Sequence, residues 1–146
     1  LERIVIKREM GIEPTVENVM SREQLAGLCE LTRKIFLPDA VAQYIARIVD
    51  ATQPPTPGVK FGAGPRAALA LASSSRALAL ISGRKVASFE DVKTVADSVL
   101  NHRIILDYSS KVQGNTTSKV ISKILAETPV LSKDIPKVLE LSLIHI

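Results

Sequence analysis

The stretch from Pro65 to Ser82 limits the fold more than any other part of this sequence. It runs Arg66-Ala67-Ala68-Leu69-Ala70-Leu71-Ala72 and, after three serines, Ala77-Leu78-Ala79-Leu80-Ile81. Pro65 suits a first helical position and Gly83 suits a left-handed residue just past the last turn, so both ends are marked. A helix apolar on nearly every side belongs in the middle of a bundle, and its alanines let neighbours approach closely. At ~1.5 Å per residue it spans a domain of this size. Hydroxyls at Ser73, Ser74 and Ser75 are expected to bond back to the preceding turn, a structural role.

Four more helices are marked around it. Ser21-Arg22-Glu23-Gln24 fits a capping box, and Leu25, Leu28 and Cys29 then fall on one stripe, which is expected to be buried with Cys29 packed in it. After Leu37-Pro38-Asp39, Val41, Tyr44, Ile45, Ile48 and Val49 give the clearest amphipathic period in the chain. The prolines and glycine of Gln53-Pro54-Pro55-Thr56-Pro57-Gly58 must end that helix in an exposed, insertion-tolerant loop. Ser88 with Asp91 opens a fourth helix with Val92, Val95, Ala96 and Val99 inward, and His102-Arg103 is placed to cap its C-terminus. A fifth starts near Thr116, carries Val120, Ile121, Ile124 and Leu125, and stops before Pro129. Strand-like alternation appears only from Val138 to Leu143. The expected fold class is all-α, a bundle of four to five helices, which 146 residues can close around one core.

Several function classes are excluded by what is missing. One Cys rules out an internal disulfide and a Cys-based zinc site, and His102 and His145 belong to no metal-ligand pattern, so no metal site is expected. An aromatic content of 3% with no Trp argues against base-stacking surfaces. No apolar run approaches the ~20 residues of a membrane span, and charges throughout Leu1–Met10 argue against a signal peptide. A net charge of +4 raises nucleic acid as a partner. The cations are nevertheless scattered as Lys7-Arg8, Arg33-Lys34 and Arg84-Lys85, as on ordinary helix surfaces. The first residue is Leu, and the opening reads as mid-element, so a piece of a longer protein is expected.

Gly62-Ala63-Gly64-Pro65-Arg66-Ala67 is the most informative block. It matches the dinucleotide pattern G-x-G-x-x-A, but that pattern needs a βαβ context; the preceding residues are Pro54 to Lys60 and no parallel strand is expected after the helix, so a dinucleotide-binding fold is rejected. What survives is a flexible turn, a proline that fixes the first helical turn, and an arginine within that turn. Helix N-termini attract anions, and a guanidinium fork suits phosphate. An arginine that snorkels or pairs with an acid is the structural alternative. No G-x-x-x-x-G-K-[ST] motif occurs, so the chain holds no self-sufficient catalytic set for phosphoryl transfer.

Taken in order, these blocks resemble the C-terminal helical lid of MoxR-type AAA+ ATPases. The match runs through Val41-Ala42-Gln43-Tyr44-Ile45, Ile48-Val49-Asp50-Ala51-Thr52, Phe61 to Ala67, Ala77-Leu78-Ala79 with Gly83-Arg84, Val86 to Val92, and Val99-Leu100-Asn101-His102-Arg103. Gly64 stands where the family usually has Ser, and Asn101 where a basic residue is common. The resemblance implies a connector over residues 1–20, a lid over 21–106, and a C-terminal helix and tail over 107–146. It implies that Arg66 is the sensor 2 arginine, catalytic and nucleotide-binding, with Pro65 and Gly64 beside the phosphates. Tyr44 is a secondary candidate for the adenine, although its period also puts it in the core. ATP and Mg²⁺ would be held with the ATPase core, in a ring of subunits remodelling an unknown client in the cytoplasm. The rival expectation is a stand-alone basic module that binds nucleic acid or another protein.

Overall fold

The computed structural model describes residues 17–130. Six helices are present there: α1 (Arg22–Lys34), α2 (Asp39–Ala51), α3 (Pro65–Ile81), α4 (Phe89–Leu100), α5 (Tyr108–Val112) and α6 (Thr117–Glu127). Two short strands, β1 (Val59–Phe61) and β2 (Ile105–Leu106), pair antiparallel, with Val59 opposite Leu106 and Phe61 opposite Ile105. The domain is thus mostly helical with a small sheet that the hydropathy pattern does not reveal, because strands of two and three residues are too short to alternate. The residues from Val138 to Leu143 lie outside the described residues.

Helix α3 is the centre, packed against α1, α2 and α4. Its buried residues are Ala67, Leu71, Ser75 and Ala79, one every four positions, so a single ridge is enclosed while Leu69 and Ile81 face solvent. The expectation of burial on nearly all sides is corrected accordingly. Small side chains along the ridge let the neighbouring helices approach closely. Ser75 is fully buried, yet its Oγ has no hydrogen-bond partner, so the expected bond to the preceding turn is not made. Onto this ridge α2 turns Val41, Tyr44, Ile45, Ile48 and Val49, the full predicted stripe. Val92, Ala96, Val99 and Leu100 of α4 and Ile121 and Ile124 of α6 complete one core.

Local chemistry sets the helix ends. Ser21 and Ser88 each head a capping box, closed by Gln24 and Asp91 respectively. Helix α3 ends with Gly83 at φ +71°, where the Gly83 N–H donates to the Leu80 carbonyl and the Arg84 N–H to that of Ala79. This double bond pattern satisfies the last carbonyls and needs the left-handed residue that glycine supplies.

Helix α1 departs from expectation. None of its residues is buried: Leu25, Leu28, Leu31 and Cys29 are all exposed. The period along α1 correctly shows an amphipathic helix, but periodicity cannot say what covers the apolar side. The domain holds α1 instead through its side toward α3, where Cys29, Thr32 and Arg33 line a groove with Ser73, Ser74, Arg76 and Ala77. Just after it, the backbone of Phe36 pairs with that of Lys85 and Ala87, joining the chain beyond α1 to the chain beyond α3.

Asp91 is the one buried carboxylate among the described residues. It accepts from both terminal nitrogens of the Arg84 guanidinium, Nη1 at Oδ2 (2.8 Å) and Nη2 at Oδ1, and from the Ser88 N–H at 2.7 Å. The Arg84 pairing, aided by the Ser88 bonds, lowers its pKa to about 2. Because the folded-state value lies below the ordinary carboxylate value, this contribution to stability is present above pH ~4 and is lost as pH falls toward 2. Asp91→Asn is expected to destabilise the domain by about 1–3 kcal/mol at pH 7 and to flatten the acid limb of stability between pH 4 and 2. Urea melts over that pH range check both effects, and an unchanged acid limb would remove Asp91 as its cause.

Candidate functional site

The segment Gly62-Ala63-Gly64 is held from both sides by the end of α2. Thr52, itself fully buried, accepts the Ala63 N–H at 2.9 Å while donating its hydroxyl proton to the Val49 carbonyl at 2.6 Å. Gln53 Nε2 donates to the Ala63 carbonyl at 2.6 Å. Both polar groups of one peptide residue are therefore taken up by two adjacent side chains. The close approach explains Gly62, because a Cβ there would land on the Thr52 carbonyl oxygen. The loop after α2 is thus only partly free. Pro54, Pro55 and Pro57 are exposed as expected, but Thr52 is part of the core edge, and Thr56 returns a hydroxyl bond to the Ala51 carbonyl at 2.7 Å.

This clamp fixes where α3 begins. Gly64 occupies the N-cap position in extended backbone and gives no side-chain cap, Pro65 is the first helical residue, and Arg66 follows in the same turn. Arg66 is exposed, and among the described residues no carboxylate lies within ion-pair distance of it. Among the described residues no acid therefore neutralises Arg66, while its exposure is also what a snorkelling side chain would show. Gly64, Pro65, Arg66 and Ala67 line an open concavity of about 610 Å³, which Arg103 completes.

Three of the expected site residues, Gly64, Pro65 and Arg66, are thus together. Tyr44 is not with them. Its ring is 0% exposed, set edge-on to Phe89 with centroids 5.5 Å apart, and Arg47 lies 6.0 Å from its centroid. Burial raises the pKa of its hydroxyl, which has no hydrogen-bond partner. In this arrangement the ring packs the core and offers no face to a ligand. His102-Arg103 do follow the C-terminus of α4, but among the described residues Arg103 makes no side-chain bond to its last carbonyls, and Arg103 also lines the Arg66 groove. The sequence placed this arginine some 37 positions away from Arg66, and no local pattern signals that the two meet. Among the described residues no group of His, Cys, Asp and Glu could hold a metal ion.

Residues 56–124 match the family model described as the AAA lid domain. The chain is 33% identical over 132 residues to "Chaperone MoxR1" of Mycobacterium tuberculosis, covering 85% of this chain and 35% of that protein. It is 28% identical over 116 residues to "Uncharacterized protein YeaC" of Bacillus subtilis, covering 80% of this chain and 36% of the relative. A crystal structure of a "putative ATPase" from Cytophaga hutchinsonii superposes with a TM-score of 0.79 at 28% identity, over 90% of this chain and 42% of the other. The chain therefore spans about a third of the length of the two curated relatives.

The clamp makes a direct prediction. Thr52→Val keeps the shape but leaves the buried Ala63 N–H without an acceptor, and is expected to cost about 1–3 kcal/mol in a denaturant melt. Thr52→Ser should recover most of that loss. In amide exchange, Ala63 should lose protection in the Val variant and keep it in the Ser variant. Equal protection in both would show that the loop is held by something else.

Proposed function

The chain carries an AAA lid domain and is homologous over most of its length to a MoxR chaperone, and from that premise we propose that Arg66 serves as the sensor 2 arginine of an ATP-hydrolysing protein. The observation that supports this reading most is the state of Arg66: exposed, free of any described carboxylate, and held at the start of the central helix by the clamp on Ala63. Gly64 and Pro65 would lie beside the phosphates, where Gly64 lets the backbone approach and adds no side chain. Tyr44 supports the site through the core rather than by touching the adenine.

The physics of the role is differential. An arginine on the lid gains interaction energy only while a phosphate is near, so nucleotide occupancy biases the lid toward the core. In the transition state the same fork stabilises charge developing on the transferring phosphoryl oxygens. ATP and Mg²⁺ would be bound chiefly by an ATPase core, which supplies the P-loop absent from this sequence. The wider reading is a cytoplasmic ring of subunits, with lid movement remodelling a client protein as the word "chaperone" in the relative's name suggests. Among the described residues no helix is long and apolar enough to cross a membrane.

In the ATPase that carries this lid, Arg66→Ala is expected to lower steady-state phosphate release by roughly 10²-fold or more. Arg66→Lys should recover only part of it, because an ammonium cannot reproduce the planar fork. Near-normal turnover by a folded Arg66→Ala protein would overturn the assignment.

A further inference from the structure

The groove at Arg66 contains a second cation. Arg103 is half-buried just beyond α4 and lines the same concavity as Gly64, Pro65, Arg66 and Ala67. Its Nη1 is shut off from solvent and has no hydrogen-bond partner among the described residues. The ion pairs among those residues engage Arg84, Lys93 and Lys123, and no acidic side chain lines this groove. Arg84, by contrast, is matched to Asp91.

Two arginines lining one concavity repel each other, and a partly desolvated cation without a counter-charge is unfavourable. An anion lying in the groove relieves both. A single monovalent anion neutralises one cation only, whereas a chain of linked phosphates offers separate charged oxygens to each. Guanidinium forks suit such oxygens, since each can donate two roughly parallel N–H bonds. We infer that Arg103 is a second polyphosphate-contacting residue, acting with Arg66 as a two-point clamp on one ligand. The inference builds on the assignment of Arg66 to a phosphate and adds a partner from the turn after α4. It implies that the groove discriminates by the number of linked phosphates rather than by net charge alone.

The test uses the chain with its arginine side chains observed by ¹⁵N NMR, titrated with inorganic tripolyphosphate and, separately, with orthophosphate at matched ionic strength. The Nε–Hε signals of both Arg66 and Arg103 are expected to move together with tripolyphosphate and to saturate at one shared concentration. Orthophosphate should bind about tenfold more weakly, and Arg103→Ala should weaken tripolyphosphate binding by about the same factor. Arg103→Lys, which keeps the charge, guards against a packing defect and should recover part of the loss. Movement of Arg66 alone, or equal affinity for the two anions, overturns the two-point clamp and leaves the Arg66 assignment standing. Absence of any shift at either arginine also overturns it, while the hydrolysis assay on Arg66→Ala decides the assignment of Arg66 separately.

Discussion

Everything in this domain hangs on the ridge of Ala67, Leu71, Ser75 and Ala79 along α3. Four-residue spacing puts these side chains in one row, and three of them are small, so other helices can lie against the row at short range. Only Leu71 projects far, and it is wholly buried. Among the described elements, α3 is the longest that the apolar faces of α2 and α4 pack against. The burial of Ser75 with an unsatisfied hydroxyl shows how strongly close packing dominates here. The same ridge begins one residue after Arg66, so the packing that holds the core together also holds the charged end in place.

Three arginines show how location decides what a guanidinium does. Arg84 meets Asp91, a carboxylate already tied into a helix cap, and the pair fastens the turn between α3 and α4. Arg47 reaches across to the Pro129 and Val130 carbonyls, at 3.3 and 2.9 Å, and secures the chain after α6. Arg66 stands apart from both cases, since among the described residues nothing negative answers it. Within one small domain, cations used for cohesion have partners, and the cation at the head of the central helix is left available.

The legible parts of the fold are those written within a few residues of each other. Capping boxes at Ser21 and Ser88, the glycine after α3 and the five-residue stripe of α2 all follow from local spacing, and all are present. The start of α3 at Pro65 is legible for the same reason. What escaped notice depends on pieces that are distant in sequence. Strands β1 and β2 are short and find each other across more than forty residues. Arg103 enters the groove only because the chain leaves α4 toward β2. Gln53 reads as the start of a loose proline-rich loop and Thr52 as the end of the block before it, and nothing near them announces the peptide they clasp. The exposed leucines of α1 show the converse limit: a clear period fixes which side is apolar without fixing what it meets.

The length of α3 has a mechanical consequence. Seventeen helical residues make a rod about 25 Å long, with Arg66 at one tip and Ile81 at the other. A close-packed helix cannot stretch or bend gradually, and α3 is packed against α1, α2 and α4, so a pull at the arginine turns the packed elements together. A tilt of these elements by about 10° about the arginine end would carry the opposite tip about 4 Å, roughly three quarters of a helical turn. Like a rigid lever, the helix carries a small rotation at its charged tip to the far end as a displacement of several ångströms.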